Sequence, residues 1–147
     1  MFVWLIEDEE MRLNEAGRML VDEWKKLKNR FINIEIDEFV VMPNHFHGII
    51  FIPDVTVGDG LVPSRIDPRA STRVAPTIPN IIGAFKSIAT HRYIQLVKQN
   101  LAKQFNKKLW QRSYYDHVIR NEKSLEKIRE YVIENPCCWE KDENFMS

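Results

Sequence analysis

Cysteine is almost missing from this chain of 147 residues: the only two, Cys137 and Cys138, are adjacent. Neighbouring cysteines rarely bridge each other, so a disulfide-stapled fold is excluded and a reducing, cytoplasmic setting is expected. There is no Cys-x-x-Cys pair and no further soft ligand at usable spacing, which removes the common zinc frameworks. Long apolar runs are also lacking. None approaches the roughly 18 residues that span a bilayer, so no membrane partner is expected. Met1–Ile6 is apolar but has no basic flank or cleavage site, and no signal peptide is read there. Glycine is scarce, at five residues. Gly-rich phosphate loops, Gly-x-Ser-x-Gly elbows and zinc-protease helices are all absent, which excludes the enzyme classes that depend on them. Net charge is absent too, with 21 basic and 21 acidic side chains.

What is present suits one soluble domain over residues 1–147, with 44% hydrophobic and 29% charged residues. The charge is unevenly spread. Residues 1–50 carry six basic and ten acidic groups. Residues 83–120 carry Lys86, Arg92, Lys98, Lys103, Lys107, Lys108, Arg112 and Arg120 against Asp116 alone. A localised basic surface can hold phosphates on a neutral molecule, although a solvated helix face gives the same pattern.

Periodicity orders the elements. Residues 14–29 read as an amphipathic helix capped by Asn14, with Ala16, Met19, Leu20, Trp24 and Leu27 near one face. In residues 32–42, Ile32, Ile34 and Ile36 alternate with Asn33, Glu35 and Asp37, predicting a strand with one wet face. Pro43-Asn44 marks its end, and residues 45–52 form the next strand. Residues 53–78, with prolines at 53, 63, 68 and 76, read as an irregular loop. A second helix is expected over about 80–100 and a polar connector over 101–108. An aromatic-rich strand follows from Leu109 to Ile119. Asn121 caps a last helix over about 122–135, which Pro136 stops. The order predicts an α+β fold, an antiparallel sheet with helices packed on it.

His45-Phe46-His47 is the sharpest chemical signal. Residues i and i+2 of a strand share a face, so both imidazoles can reach one divalent ion. Read alone, the motif is equally an ordinary histidine pair at a strand start. Tyr131 and Asn135, four apart, share one face of the last helix. Asn135 offers a carbonyl oxygen to an ion, and Tyr131 offers a nucleophile if a cation favours its phenolate. Taken singly, Tyr131 reads as an aromatic half-buried against the sheet and Asn135 as a C-cap before Pro136. Leu109–Arg120 interleaves aromatics with Arg112 and Arg120, which suits base stacking and phosphate pairing as well as a core strand. Within it, His117 beside Asp116 is a candidate proton shuttle or further metal contact.

Together these residues resemble a known family. Phe39-Val40-Val41-Met42-Pro43-Asn44-His45-Phe46-His47-Gly48-Ile49-Ile50 is similar to the metal-binding segment of the single-tyrosine HUH transposases. Leu109–Arg120 and Tyr131-Val132-Ile133-Glu134-Asn135-Pro136 resemble later segments of the REP-associated tyrosine transposases, and Met11–Gly17 resembles their entry to the first helix. The resemblance implies a ferredoxin-like HUH endonuclease fold and a metal site of His45, His47 and Asn135 for Mg²⁺ or Mn²⁺. It implies Tyr131 as the nucleophile on single-stranded or hairpin DNA, through a 5′-phosphotyrosine intermediate. Lys86, Arg92, Lys107, Lys108, Arg112, Tyr114 and Arg120 are the expected DNA contacts, with His117 auxiliary. Related enzymes occur as monomers and as homodimers.

One departure qualifies the match. Family members begin with an inner strand well before the first helix, whereas Met1–Ile6 aligns with the short stretch just before it. Either Met1–Ile6 substitutes for that strand, another subunit fills the gap, or the chain is an N-terminally truncated copy with weak or no activity. The alternative reading is a catalytically inactive relative that binds hairpin DNA. A third is an unrelated metal hydrolase using His45, His47 and His117.

Overall fold

The computed structural model describes residues 4–7, 10–31, 34–43, 45–53, 76–112 and 114–138. Most of the irregular loop, the alternating positions Ile32 and Asn33, and residues 1–3 lie outside them.

Strands β1 (Trp4–Glu7) and β2 (Glu10–Leu13) pair antiparallel with each other, in a ribbon separate from the second sheet. Asn14 then starts α1 (Glu15–Lys25), its side-chain oxygen accepting a hydrogen bond from the Gly17 N–H at 3.0 Å. The expected single helix to residue 29 is divided at Lys26, after which α2 (Leu27–Arg30) forms one further turn.

Strands β3 (Glu35–Val41) and β4 (Phe46–Phe51) form an antiparallel hairpin. The Met42 N–H donates to the His45 carbonyl at 2.9 Å and closes the hairpin beside Pro43. Helix α3 (Ile78–Lys98) is capped by Thr77, and α4 (Glu122–Cys138) starts at Asn121, whose side chain accepts from the Ser124 N–H at 2.8 Å. The fold is α+β, with helices packed on an antiparallel sheet.

The core lies between α1, α3 and one face of the hairpin. Leu20, Trp24, Leu27, Ile81, Phe85, Ala89 and Tyr93 are fully or almost fully buried there. Trp24 packs on Phe46 at 4.6 Å and on Phe85 at 5.1 Å between ring centroids, and Phe46 meets Phe85 at 5.4 Å. Tilted and edge-on pairs of this kind stabilise beyond the area they bury. Helix α4 covers the opposite face of the hairpin, burying Val132 and Asn135.

Three expectations are corrected. First, the face of β3 opposite the isoleucines is only partly wet: Glu35 is exposed, but α4 packs on the strand and takes up Asp37. Second, Leu109–Ile119 forms no strand. A strand needs a neighbour for its backbone groups, and among the described residues none pairs with this segment. Tyr115 and Val118 are consequently exposed, at 106% and 70%. Third, Pro136 does not stop the last helix, which continues to Cys138. So close to a helix end, the proline removes only one intrahelical bond.

Candidate active site

The two faces of the β3–β4 hairpin set the geometry. Val41 pairs with Phe46 and Phe39 with Gly48, and these residues meet the Trp24 side. Val40 pairs with His47, which therefore points the other way, toward α4. The tight approach of Trp24 depends on Gly48. A Cβ at that position would lie 2.4 Å from Trp24 Cζ2. The glycine thus seats the indole directly behind the strand that carries His47.

On the α4 face, the His45 and His47 rings meet edge to face with centroids 4.6 Å apart. The Tyr131 ring lies 5.6 Å from His47 at an interplanar angle of 76°. Tyr131 is half exposed, at 52%, so its phenol stands at the rim and is open to a substrate. Asn135 follows one turn later on α4 and is 4% exposed. It lies inside the helix, so its reading as a C-cap is corrected.

The side chains on this face include two imidazoles and one amide oxygen, donor types that divalent ions accept. The Nε2 atoms of His45 and His47 and the Oδ1 of Asn135 are all buried. Asn135 Oδ1 accepts no hydrogen bond from any described residue. A buried acceptor left in that state costs about 1–3 kcal/mol, which a cation would relieve. Two imidazoles and one amide oxygen suit Mn²⁺ better than Mg²⁺, which favours oxygen ligands and retained waters. Among the described residues no group of three or more His, Cys, Asp or Glu is placed to hold a metal, so any such site rests on the amide as third donor.

A salt bridge anchors α4 to the sheet beside this group. Arg129 Nε and Nη2 both donate to Asp37 Oδ2, at 2.9 and 2.7 Å. The hydrogen bond to Asp37 is the main cause of a raised Arg129 pKa, opposed by partial desolvation. Alternation onward from Ile36, which packs on the core, gives Asp37 the α4 face, whereas alternation back from Phe39 would give it the core face. The β3–β4 register shifts between Ile36 and Phe39, and this irregularity lets both of them meet the core while Asp37 faces α4.

The other expected residues fall into two groups. Lys86 and Arg92 lie on α3, whose Phe85 packs on the core side of the hairpin, away from Tyr131. Lys86 Nζ stands 5.5 Å from the Tyr114 ring centroid and 6.0 Å from that of Trp110. Arg92 lies 3.7 Å from Glu23. Lys107 and Lys108 are exposed on the connector after α3.

Trp110 donates to Thr90 Oγ1 of α3 at 3.0 Å, and Asn121 caps α4, so the intervening segment runs from one helical layer to the other. Arg112, Tyr114, His117 and Arg120 are exposed along this strap. His117 stands exposed on this strap, outside the ring contacts that join His45, His47 and Tyr131.

No helix among the described residues is long and apolar enough to cross a membrane. Over 145 residues the chain is 36% identical to an uncharacterized protein of Haemophilus influenzae, covering 96% of this chain and 76% of that protein. The chain belongs to that protein's family. No family model and no solved structure matches this family member.

Sequence reasoning missed Asp37 and Arg129. Arg129 shares a helix with Tyr131, a usable hint, and alternation puts Asp37 opposite the isoleucines, but nothing in the residue pattern says that α4 covers that face.

Proposed function

We propose that this protein is a metal-dependent DNA strand transferase of the single-tyrosine HUH type, acting on single-stranded or hairpin DNA. The observation that carries the reading is the meeting of His47 with Tyr131, beside His45 and one turn before the buried amide of Asn135. Support comes from two parts of the chain, the strand start at 45–47 and the α4 face that carries Tyr131 and, one turn on, Asn135.

In this reading His45, His47 and Asn135 hold Mn²⁺ or Mg²⁺. An ion held by these residues would supply polarisation of a phosphodiester and offset its charge. Tyr131 supplies the nucleophile. Its phenolate oxygen attacks phosphorus and the bond to the 3′-oxygen breaks. That oxygen takes up a proton, matching the one the phenol gave to solvent, and leaves as a 3′-hydroxyl, while the 5′ side stays esterified to Tyr131. Attack by another 3′-hydroxyl reverses the step and restores the tyrosine. The ester conserves the bond energy, so no nucleotide cofactor is required.

The half-exposed phenol admits a strand. The exposed Arg112, Tyr114 and Arg120 of the strap give phosphates and bases a path toward it. The protein works in the cytoplasm, as a monomer or a homodimer. The alternative, a relative that binds hairpin DNA without cutting, is favoured by the hairpin's having only two strands among the described residues.

The test uses hairpin-flanked single-stranded DNA with Mn²⁺. Wild-type protein is expected to cleave it. His45→Ala should abolish cleavage while changing DNA affinity less than threefold. Cleavage at the wild-type rate by His45→Ala would remove the metal role. Tight binding without any cleavage by the wild type would establish the binding-only alternative.

A further inference from the structure

We propose that Arg129 and Asp37 form a positioning pair that fixes the rotation and height of α4, so that the Tyr131 phenol faces the His45–His47 pair. The proposal rests on the reading of Tyr131 and the histidines as one reacting unit.

Reacting atoms must come within roughly 3–3.5 Å, and small misplacements are costly in rate. A helix lying on a two-stranded ribbon has few other constraints. Val132 and Asn135 are the buried side chains on the described part of α4, and Tyr131 and Ile133 are largely exposed. Apolar burial is non-directional and tolerates sliding along the helix axis. The guanidinium does not. Both Nε and Nη2 converge on one carboxylate oxygen, at 2.9 and 2.7 Å. Such charge-assisted bonds are short and directional.

Two further carboxylates act on Arg129, of which only Glu38 belongs to the strand that carries Asp37. Glu122 on α4 lies 3.8 Å away, and Glu38 on β3 acts at longer range. Arg129 precedes Tyr131 by two residues, so an error in its seat is passed to the phenol through less than one helical turn. At the other end, Asp37 belongs to the strand whose Val40 pairs with His47. Asp37, on the α4 face of β3, thus couples the histidine strand and the tyrosine helix through one ion pair.

Proton NMR of the histidine rings tests the pair without any activity. His47 lies beside the Tyr131 ring, so the part of its ring-proton shift that is lost in Tyr131→Leu reports their approach. Arg129→Ala is expected to lose at least half of that contribution, while the Phe46 ring shifts caused by Trp24 remain. Arg129→Lys, with one donor group in place of the fork, should fall between. The exchange Asp37→Arg with Arg129→Asp should recover most of the shift.

Unchanged His47 shifts in Arg129→Ala would overturn the proposal. So would simultaneous loss of the Phe46 shifts, since the pair would then hold the whole fold rather than the helix position. In DNA cleavage, Arg129→Ala should lower the single-turnover rate at saturating DNA at least tenfold with less than a threefold change in half-saturation. A wild-type protein that never cleaves would defeat the functional reading and leave the NMR result standing.

Discussion

Gly48 pairs across the hairpin with Phe39, one residue after His47, and Trp24 occupies the space that any Cβ there would need. Gly48→Ala must push back a fully buried indole locked among Phe39, Phe46 and Phe85. Overpacking of this kind destabilises by about 1–3 kcal/mol. Urea unfolding should show that loss, with a weaker His47–Tyr131 contact in the residual native state.

Glu23 is a second residue with a measurable signature. Burial opposes its ionisation, but hydrogen bonds and charge from Lys26 and Arg30 prevail, so its pKa lies below the ordinary carboxylate value. A depressed carboxyl pKa contributes stability that is full above the unfolded value of about 4.3 and is lost as pH falls through the folded value. Unfolding midpoints measured from pH 7 down to pH 3 should therefore fall in the acid limb, and Glu23→Gln should flatten that limb while lowering stability at neutral pH.

The helices and strands differ in how much of them the sequence discloses, and the reason is where their determinants lie. Asn14 and Asn121 cap helices by contacts three residues away, so local reading finds them. Asn121→Ala should cost about 1 kcal/mol, seen as a lower thermal midpoint with α4 amides exchanging faster than those of α1. The histidine spacing is equally local, because strand alternation fixes which face His45 and His47 share.

Leu109–Ile119 has the composition of a strand, yet strand formation requires a partner that composition cannot supply. The fate of α4 at Pro136 is similarly contextual. A proline bars the bond to one carbonyl, but whether the helix ends there depends on the residues that pack around it. Asp37 is the least legible. Alternation from Ile34 and Ile36 gives its outward face, but not the helix that covers that face and carries Arg129.

As a whole, the molecule is layered: α1 and α3, then the β3–β4 hairpin, then α4. The layering separates two features that the resemblance assigns to one DNA-contacting site. Lys86 and Arg92 lie with the first layer, whereas Tyr131 lies with the last, and the exposed strap from Trp110 to Asn121 joins them. A DNA strand reaching the phenol is therefore expected to lean on Arg112 and Arg120 more than on Arg92, which is already beside Glu23. Joint replacement of Arg112 and Arg120 by alanine should weaken hairpin DNA binding several-fold and reduce its salt dependence, while Arg92→Ala should change both little.

The most direct measurement is the identity of the residue that becomes attached to DNA. After incubation with Mn²⁺ and hairpin-flanked single-stranded DNA, then nuclease and trypsin digestion, mass spectrometry should find a 5′-linked nucleotide on the peptide spanning residues 130–141, at Tyr131, and none in Tyr131→Phe. A nucleotide carried instead by Tyr114 or Tyr115, or no attachment by wild-type protein that binds both metal and DNA, would contradict the account.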